Sequence, residues 1–273
     1  VTVADHDRTR ADVGVFGGSG FYEFLDGAVE VELETPYGPP SAPVTIGEIE
    51  GVPVAFLPRH GRRHELPPHR IPYRANVWAM REIGVRRIVG PSAVGALKAD
   101  LELGEFVVCD QFVDRTRGRA DTFYDGGETP VTHVSAADPY CPELRGLIVE
   151  AARGLGMKIR DGGTVAVIQG PRFSTRAESA WFQQAGWDVV GMTAYPEAHL
   201  ARELELCYAN VSMVTDHDVG VGDHAPVSGE VVMQVFRENL ARLRDLLLAV
   251  LPRIPPQPAE HLCATALRGA RLS

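Results

Sequence analysis

Three short stretches carry side chains whose types and spacing could do chemistry. Residues 215–218 read "TDHD", two carboxylates two positions apart at the end of an apolar run. A carboxyl group held away from water keeps its proton near neutral pH and can serve as a general acid; the same four residues also suit a solvated turn. Residues 57–70 read "LPRHGRRHELPPHR" and concentrate Arg59, His60, Arg62, Arg63, His64, His69 and Arg70 behind a strand-like run. The planar fork of an arginine suits a phosphate or carboxylate. Residues 17–20 read "GGSG" and offer bare backbone N–H groups with one hydroxyl, Ser19. That is either a tight turn or a cradle for a small anion.

Several familiar chemistries fail on spacing. The glycines at 14, 17, 18 and 20 do not make G-x-G-x-x-G, and no G-K-[ST] follows, so neither the dinucleotide nor the Walker loop is present. His64-Glu65 resembles the start of H-E-x-x-H, but His69 falls one place late, and Pro67 and Pro68 forbid the helix that motif needs. Arg-His-Gly after a strand occurs in histidine phosphatases, but there it sits on the first strand, and here at least two strands precede it. A solvated basic loop and an anion site both stay open on this stretch alone. Two further turns favour the anion. "PSAVGAL" puts Ser92 and nearby N–H groups at a strand end, and "GMTAYPE" puts Thr193 where a helix begins.

These residues need elements to position them. Apolar runs at 13–16, 86–89, 106–112, 165–168, 187–190 and 206–214 read as strands, and 44–49 with 52–57 as a hairpin about Glu50-Gly51. Helical spacing marks 73–83, 143–155, 176–185, 194–204 and 228–251; in the last, Val231, Val235, Leu243, Leu246, Leu247 and Val250 form the expected core stripe. Alternating strands and helices imply an α/β fold: one domain with a mixed, mostly parallel sheet flanked by helices. Ligands bind such sheets at the carboxyl ends of the strands. The turns at 17–20, 59–64, 92–95, 170–174, 192–193 and 215–218 are therefore expected along one edge. The domain runs from 13 to 251, after an N-terminal extension at 1–12 and before a proline-rich segment and tail at 252–273, with a short last helix expected in the tail.

The chain has 273 residues and a net charge of −9 with interspersed signs, which argues against nucleic acid as a partner. No apolar run reaches membrane-spanning length, and the polar N-terminus has no secretory h-region. Cys109, Cys141, Cys207 and Cys263 lie far apart and form no C-x-x-C. That reads as a reducing, cytoplasmic setting without structural zinc, and no metal is expected.

Taken together, "GVFGGSG", "RHGRRH", "YRANVWAMREIGV", "DQFVDRTRGRADTFYDG", "GPRFSTRAE", "GMTAYPEAHLARELELCYA" and "TDHD" resemble the trimeric purine nucleoside phosphorylases, most closely their S-methyl-5'-thioadenosine phosphorylase branch. The resemblance runs from about residue 13 to 252. It implies a cytoplasmic homotrimeric pentosyltransferase of purine and methionine salvage, with inorganic phosphate as co-substrate and no cofactor. It implies Ser19, Arg59, His60, Ser92, Ala93 (through its N–H) and Thr193 as phosphate ligands. Met192 would lie under the ribose and Phe173 against the base. Asp216 and Asp218 would handle the proton that the leaving base takes at N7.

The 6-oxopurine branch of this family carries Asn at position 216 and Glu at position 174, whereas this chain has Asp216 and Ser174. Both departures point to adenine. His64 and His133 match positions near the 5' substituent, His133 reaching across from a neighbouring subunit. The C-terminal "EHLCATALRGARLS" and the loop "VGVGDHAPVSGE" depart from the branch, which leaves the 5' group open. The expected reaction is S-methyl-5'-thioadenosine plus phosphate to adenine and S-methyl-5-thioribose 1-phosphate. The alternatives are a broader or 6-oxopurine phosphorylase, then a hydrolase, then a nucleoside-binding module without catalysis.

Overall fold

The computed structural model describes residues 9–17, 26–127, 129–222 and 227–271. In chain order its strands are β1 (Val13–Gly17), β2 (Asp26–Val31), β3 (Val44–Ile49), β4 (Val52–Pro58), β5 (Arg87–Ala96), β6 (Phe106–Val108), β7 (Gln111–Arg115), β8 (Ile159–Asp161), β9 (Thr164–Ile168), β10 (Val189–Gly191) and β11 (Cys207–His217). Its helices are α1 (Tyr73–Glu82), α2 (Pro142–Gly154), α3 (Arg176–Gln184), α4 (Ala194–Glu203) and α5 (Gly229–Val250).

All eleven strands join one mixed sheet. The main path runs β2-β3-β4-β1-β5-β10-β9-β7, and β5 also pairs with β11, which leads on to β6 and β8. Neighbours of the β1–β4, β1–β5, β5–β11, β6–β8, β7–β9 and β9–β10 pairs are parallel. The α/β reading with a mostly parallel sheet therefore holds. The β3–β4 hairpin turns through Glu50 and Gly51 with φ of 51° and 79°, the left-handed pair that a two-residue turn of this hand requires.

Strand alternation divides the core into two layers. Val13 and Val15 of β1 and Val54 and Phe56 of β4 face one side, with Leu144 and Ile148 of α2 and Leu243, Leu246 and Leu247 of α5. Phe16, Ala55 and Leu57 face the other, with Val77 and Met80 of α1 and Ala198 and Leu200 of α4. Gly14 faces that second layer; a Cβ there would stand 3.0 Å from Val85 Cγ1 and 3.1 Å from Met80 Sδ, so its bareness serves close packing of α1.

Several boundaries differ from the sequence expectation. β5 does not stop at 89 but runs through "GPSAVGA", and β11 runs through "TDH". Each completes the other's hydrogen bonding: Asn210 pairs with Gly90, Ser212 with Ser92, and Asp216 with Gly95 after a register shift. The run at 106–112 breaks into β6 and β7. The segment after α5 is a short 3-10 turn, Leu251–Arg253, followed by successive turns rather than a last helix.

Candidate active site

The strand ends meet in a cavity of about 740 Å3. It gathers Gly17, Arg59, His60, His64, Ser92, Ala93, Phe173, Ser174, Met192, Thr193, Asp216 and Asp218. Ser19 lies outside the described residues, although Gly17 just before it is on the wall and its carbonyl accepts from the Arg59 amide at 3.2 Å. His133 does not line this cavity; it is exposed elsewhere, its amide donating to the Ala270 carbonyl at 2.8 Å.

One end of the cavity is rich in donors. Arg59 leaves the end of β4 only 4% exposed. Its Nε and Nη2 donate to both oxygens of Glu197 at 2.9 and 2.7 Å, and Nη1 donates to the Pro91 carbonyl at 2.6 Å. Of the five N–H groups of a guanidinium, these bonds use three and leave two for a ligand. Burial works against the Arg59 charge, but the Glu197 carboxylate outweighs it and raises the pKa, so the group is always cationic. Tyr208 donates to the same carboxylate at 2.6 Å. Gly90 makes room for this knot, since a Cβ there would stand 2.0 Å from the Tyr208 hydroxyl oxygen. The sequence reading missed Glu197, Tyr208 and Asn210. All three are interior residues of α4 or β11, and only the fold brings them to Arg59 and Ser92.

Ser92 is oriented from β11. Asn210 Nδ2 donates to its Oγ at 3.1 Å, and Ser212 Oγ donates to Asn210 Oδ1 at 2.5 Å. Ser92 Oγ also lies 3.4 Å from Ser212 Oγ, and because the Ser212 hydrogen goes to Asn210, the Ser92 hydrogen either serves that long contact or turns to a ligand. His60 is pushed down to about 4, chiefly by burial, so the ring is neutral. Its Nδ1 stands 2.8 Å from the Leu66 carbonyl and must carry the hydrogen, leaving Nε2 as an acceptor. His64 stacks on it at 4.2 Å. Thr193 precedes α4 but is not a continuous helix start, because Tyr195 has extended dihedrals (φ −116°, ψ 134°). Arg119, from the "DRTRGRAD" stretch, straps this corner by donating to the carbonyls of Tyr195 at 2.5 Å and Gln169 at 2.9 Å.

The other end holds carboxyl groups removed from water. Burial pushes Asp216 up to about 6, against the Thr215 hydroxyl that donates to its Oδ1 at 2.9 Å, with the charge of Asp218 adding to the rise. Asp218 is 2% exposed and also raised by burial, partly offset by the nearby Ser179 and Ser174 hydroxyls. Neither Asp218 Oδ2 nor Ser174 Oγ makes a hydrogen bond of full geometry; both are buried polar atoms left over for a ligand. Gly95 seats Asp216, since a Cβ on it would stand 2.8 Å from Asp216 Oδ2.

The remaining wall is apolar. Val232, Met233, Phe236 and Leu240 from the first half of α5 line it, together with Met192 and Phe173. The expected stripe holds only in the second half of that helix, where Leu243, Leu246, Leu247 and Val250 are buried; Val231 is 48% exposed. The i, i+4, i+8 row Val232, Phe236, Leu240 was the available signal for this wall.

The cavity thus combines the donor-rich surroundings of Arg59 with buried carboxyls and an apolar wall, on the mixed sheet of a nucleoside phosphorylase fold. A methylthioadenosine phosphorylase from an antarctic soil metagenomic library superposes with a TM-score of 0.90 at 39% identity, covering 97% of this chain and 93% of that one. The Schistosoma mansoni methylthioadenosine phosphorylase in complex with adenine superposes at 0.89 with 34% identity, covering 96% and 99%. The chain belongs to the phosphorylase superfamily, whose profile matches residues 12–252. Similar curated proteins include the purine nucleoside phosphorylase of Streptomyces coelicolor, 52% identical over 96% of both chains. The S-methyl-5'-thioadenosine phosphorylase of Mycobacterium tuberculosis is 55% identical over 91% of both. Among the described residues no helix is long and apolar enough to cross a membrane.

Proposed function

We propose that this enzyme cleaves S-methyl-5'-thioadenosine with inorganic phosphate, releasing adenine and S-methyl-5-thioribose 1-phosphate. The observation that carries the reading is the pairing, in one cavity, of a donor-rich end around Arg59 and Ser92 with the buried carboxyls Asp216 and Asp218. Phosphate held by Arg59, His60, Ser92, the Ala93 N–H and Thr193 stabilises the cationic sugar and attacks C1'. The neutral His60 accepts a hydrogen from the phosphate. As the glycosidic bond breaks, negative charge gathers on the purine, and the protonated member of the aspartate pair donates to N7. The ionised member accepts from the 6-amino group. Met192 supports the ribose, Phe173 flanks the base, and Ser174 completes the base pocket.

The methylthio group fits the apolar wall of Val232, Met233, Phe236 and Leu240, with His64 nearby. Phosphate is the co-substrate and no cofactor takes part. From the family resemblance we further read a cytoplasmic homotrimer serving purine and methionine salvage, in which His133 reaches a neighbouring site. A second reading, a purine nucleoside phosphorylase of wider range, is favoured by the name of the Streptomyces relative. Methylthioadenosine, adenosine and inosine, each with phosphate, separate the two: kcat/KM highest for methylthioadenosine supports the first, and highest for inosine supports the second.

A further inference from the structure

The fold gathers three of the four cysteines that the sequence scatters. Cys141 sits at the N-cap of α2, Cys207 opens β11, and Cys263 lies in the C-terminal turns with His261 two residues before it. The three Sγ atoms and an imidazole nitrogen lie within 4.8 Å of one another. Cys207 Sγ is 3.5 Å from His261 Nδ1, and Cys141 Sγ is 3.9 Å from His261 Nε2. A tetrahedral zinc ion with three sulfur ligands and one nitrogen spans ligand–ligand edges of about 3.5–3.8 Å, given the usual bond lengths. The cluster needs only small inward shifts to reach that shape.

The surroundings favour a cation. His261 Nε2 stands 3.2 Å from Glu143 Oε2, and His261 Nδ1 accepts from the Cys263 amide at 3.1 Å. The ring hydrogen therefore sits on Nε2, facing the carboxylate, and Nδ1 carries the lone pair, 3.5 Å from Cys207 Sγ, which a metal would take over from the Cys263 amide. A carboxylate behind a histidine fixes its tautomer and strengthens it as a metal ligand. Glu143 is itself held by Arg87, a guanidinium only 1% exposed, through a 2.7 Å bond. Gln257 Nε2 donates to Cys207 Sγ at 3.4 Å, the contact a thiolate needs. A disulfide would use two of the three sulfurs and leave the third, and the oriented imidazole, without a role.

We propose that Cys141, Cys207, Cys263 and His261 Nδ1 form a closed, four-coordinate site for one zinc ion, which staples the C-terminal turns to α2 and β11. With the three cysteines at most 2% exposed and all four positions filled by protein, the site has no open position for a substrate and is structural. The stapled turns in turn hold residues 132–133, through the Thr132–Arg271 bridge and the His133–Ala270 bond. The proposal stands apart from the reaction assigned above.

The test is metal analysis of the full-length protein, expressed with zinc, kept reduced and desalted into metal-free buffer. About one zinc per chain is expected. Cobalt replacing the zinc should give sulfur-to-cobalt charge-transfer bands and the intense visible bands of a tetrahedral site. C263S should lower metal affinity roughly tenfold or more, and E143Q roughly 10–100-fold. The proposal is overturned if reduced, zinc-treated wild-type protein holds only traces of metal and shows no cobalt charge transfer. It is equally overturned if two of these cysteines are isolated as a disulfide and bind no metal after reduction. The cobalt spectrum of the wild-type chain decides the matter even where C263S does not fold.

Discussion

Asp216 and Asp218 stand side by side at the end of β11, and burial lifts both carboxyls above their ordinary range. For Asp216 the native state holds its proton up to about pH 6, against 3.8 for the ordinary group, so stability is lost as pH rises through that window. The loss amounts to about 3 kcal/mol once the group is ionised. D216N should therefore melt above wild type at about pH 8 and show no such gain at about pH 4. The same substitution should lower turnover of 6-amino nucleosides by about 100-fold or more. Melting curves at both pH values check the first half; an equal offset at both would show that the carboxyl is not desolvated. His60 acts in the opposite sense: its depressed pKa contributes stability above about 6.5 that is lost as pH falls through about 4. Gly95→Ala should push Asp216 aside, lowering kcat while leaving the phosphate KM within about twofold; steady-state kinetics in both substrates read this. The pair of aspartates was legible because "TDHD" closes an apolar run. Their seating was not, because Gly95 and Ser174 meet them only through the fold.

At the scale of elements, the donor-rich end depends on β4, α4, β5 and β11 holding one another. Glu197 receives both Arg59 and Tyr208, so removing its charge leaves a buried guanidinium without its counter-ion. Glu197→Ala should cost about 3–5 kcal/mol in unfolding free energy. In the milder Glu197→Gln the KM for phosphate should rise at least tenfold more than the KM for nucleoside. Denaturant titration and two-substrate kinetics measure these; a shift confined to the nucleoside KM would place Arg59 outside the anion site. Most helices and the core of the sheet could be read from periodicity and their glycine stops. The ends of β5 and β11 could not. Their Gly, Pro, Ser and Asp residues look like turn signals, but the parallel β5–β11 pairing supplies the hydrogen bonds that keep them extended. β2 was missed although Val29-Glu30-Val31-Glu32-Leu33-Glu34 alternates apolar and charged residues, with Val29, Val31 and Leu33 packed on the core; β8, "IRD", is too short to show alternation.

Across the whole molecule, substrate choice combines parts far apart in the chain. In the proposed reading β11 and the loop before α3 hold the base, and the first half of α5 supplies the apolar wall. Phe236→Ser should lower kcat/KM for methylthioadenosine about tenfold relative to adenosine, since an apolar contact of this size is worth about 1–3 kcal/mol. Competition between the two nucleosides reads the ratio, and an unchanged ratio would remove α5 from the 5' pocket. The class of reaction was visible in the joint presence of several strand-end motifs. The Cys141–Cys207–His261–Cys263 cluster was not, because it brings together Cys141 and His261, 120 residues apart in sequence; the α5 wall left its row Val232, Phe236, Leu240 in the sequence, but nothing there said that this face lines a cavity. The central claim is that one cavity joins an oxyanion and a purine glycoside. It is tested most directly by supplying methylthioadenosine to enzyme freed of phosphate, then adding phosphate, and following adenine and sugar phosphate together. The account predicts negligible adenine before the addition and equal amounts of adenine and sugar 1-phosphate after it. Adenine released at the same rate without phosphate, with free methylthioribose as the other product, would contradict it.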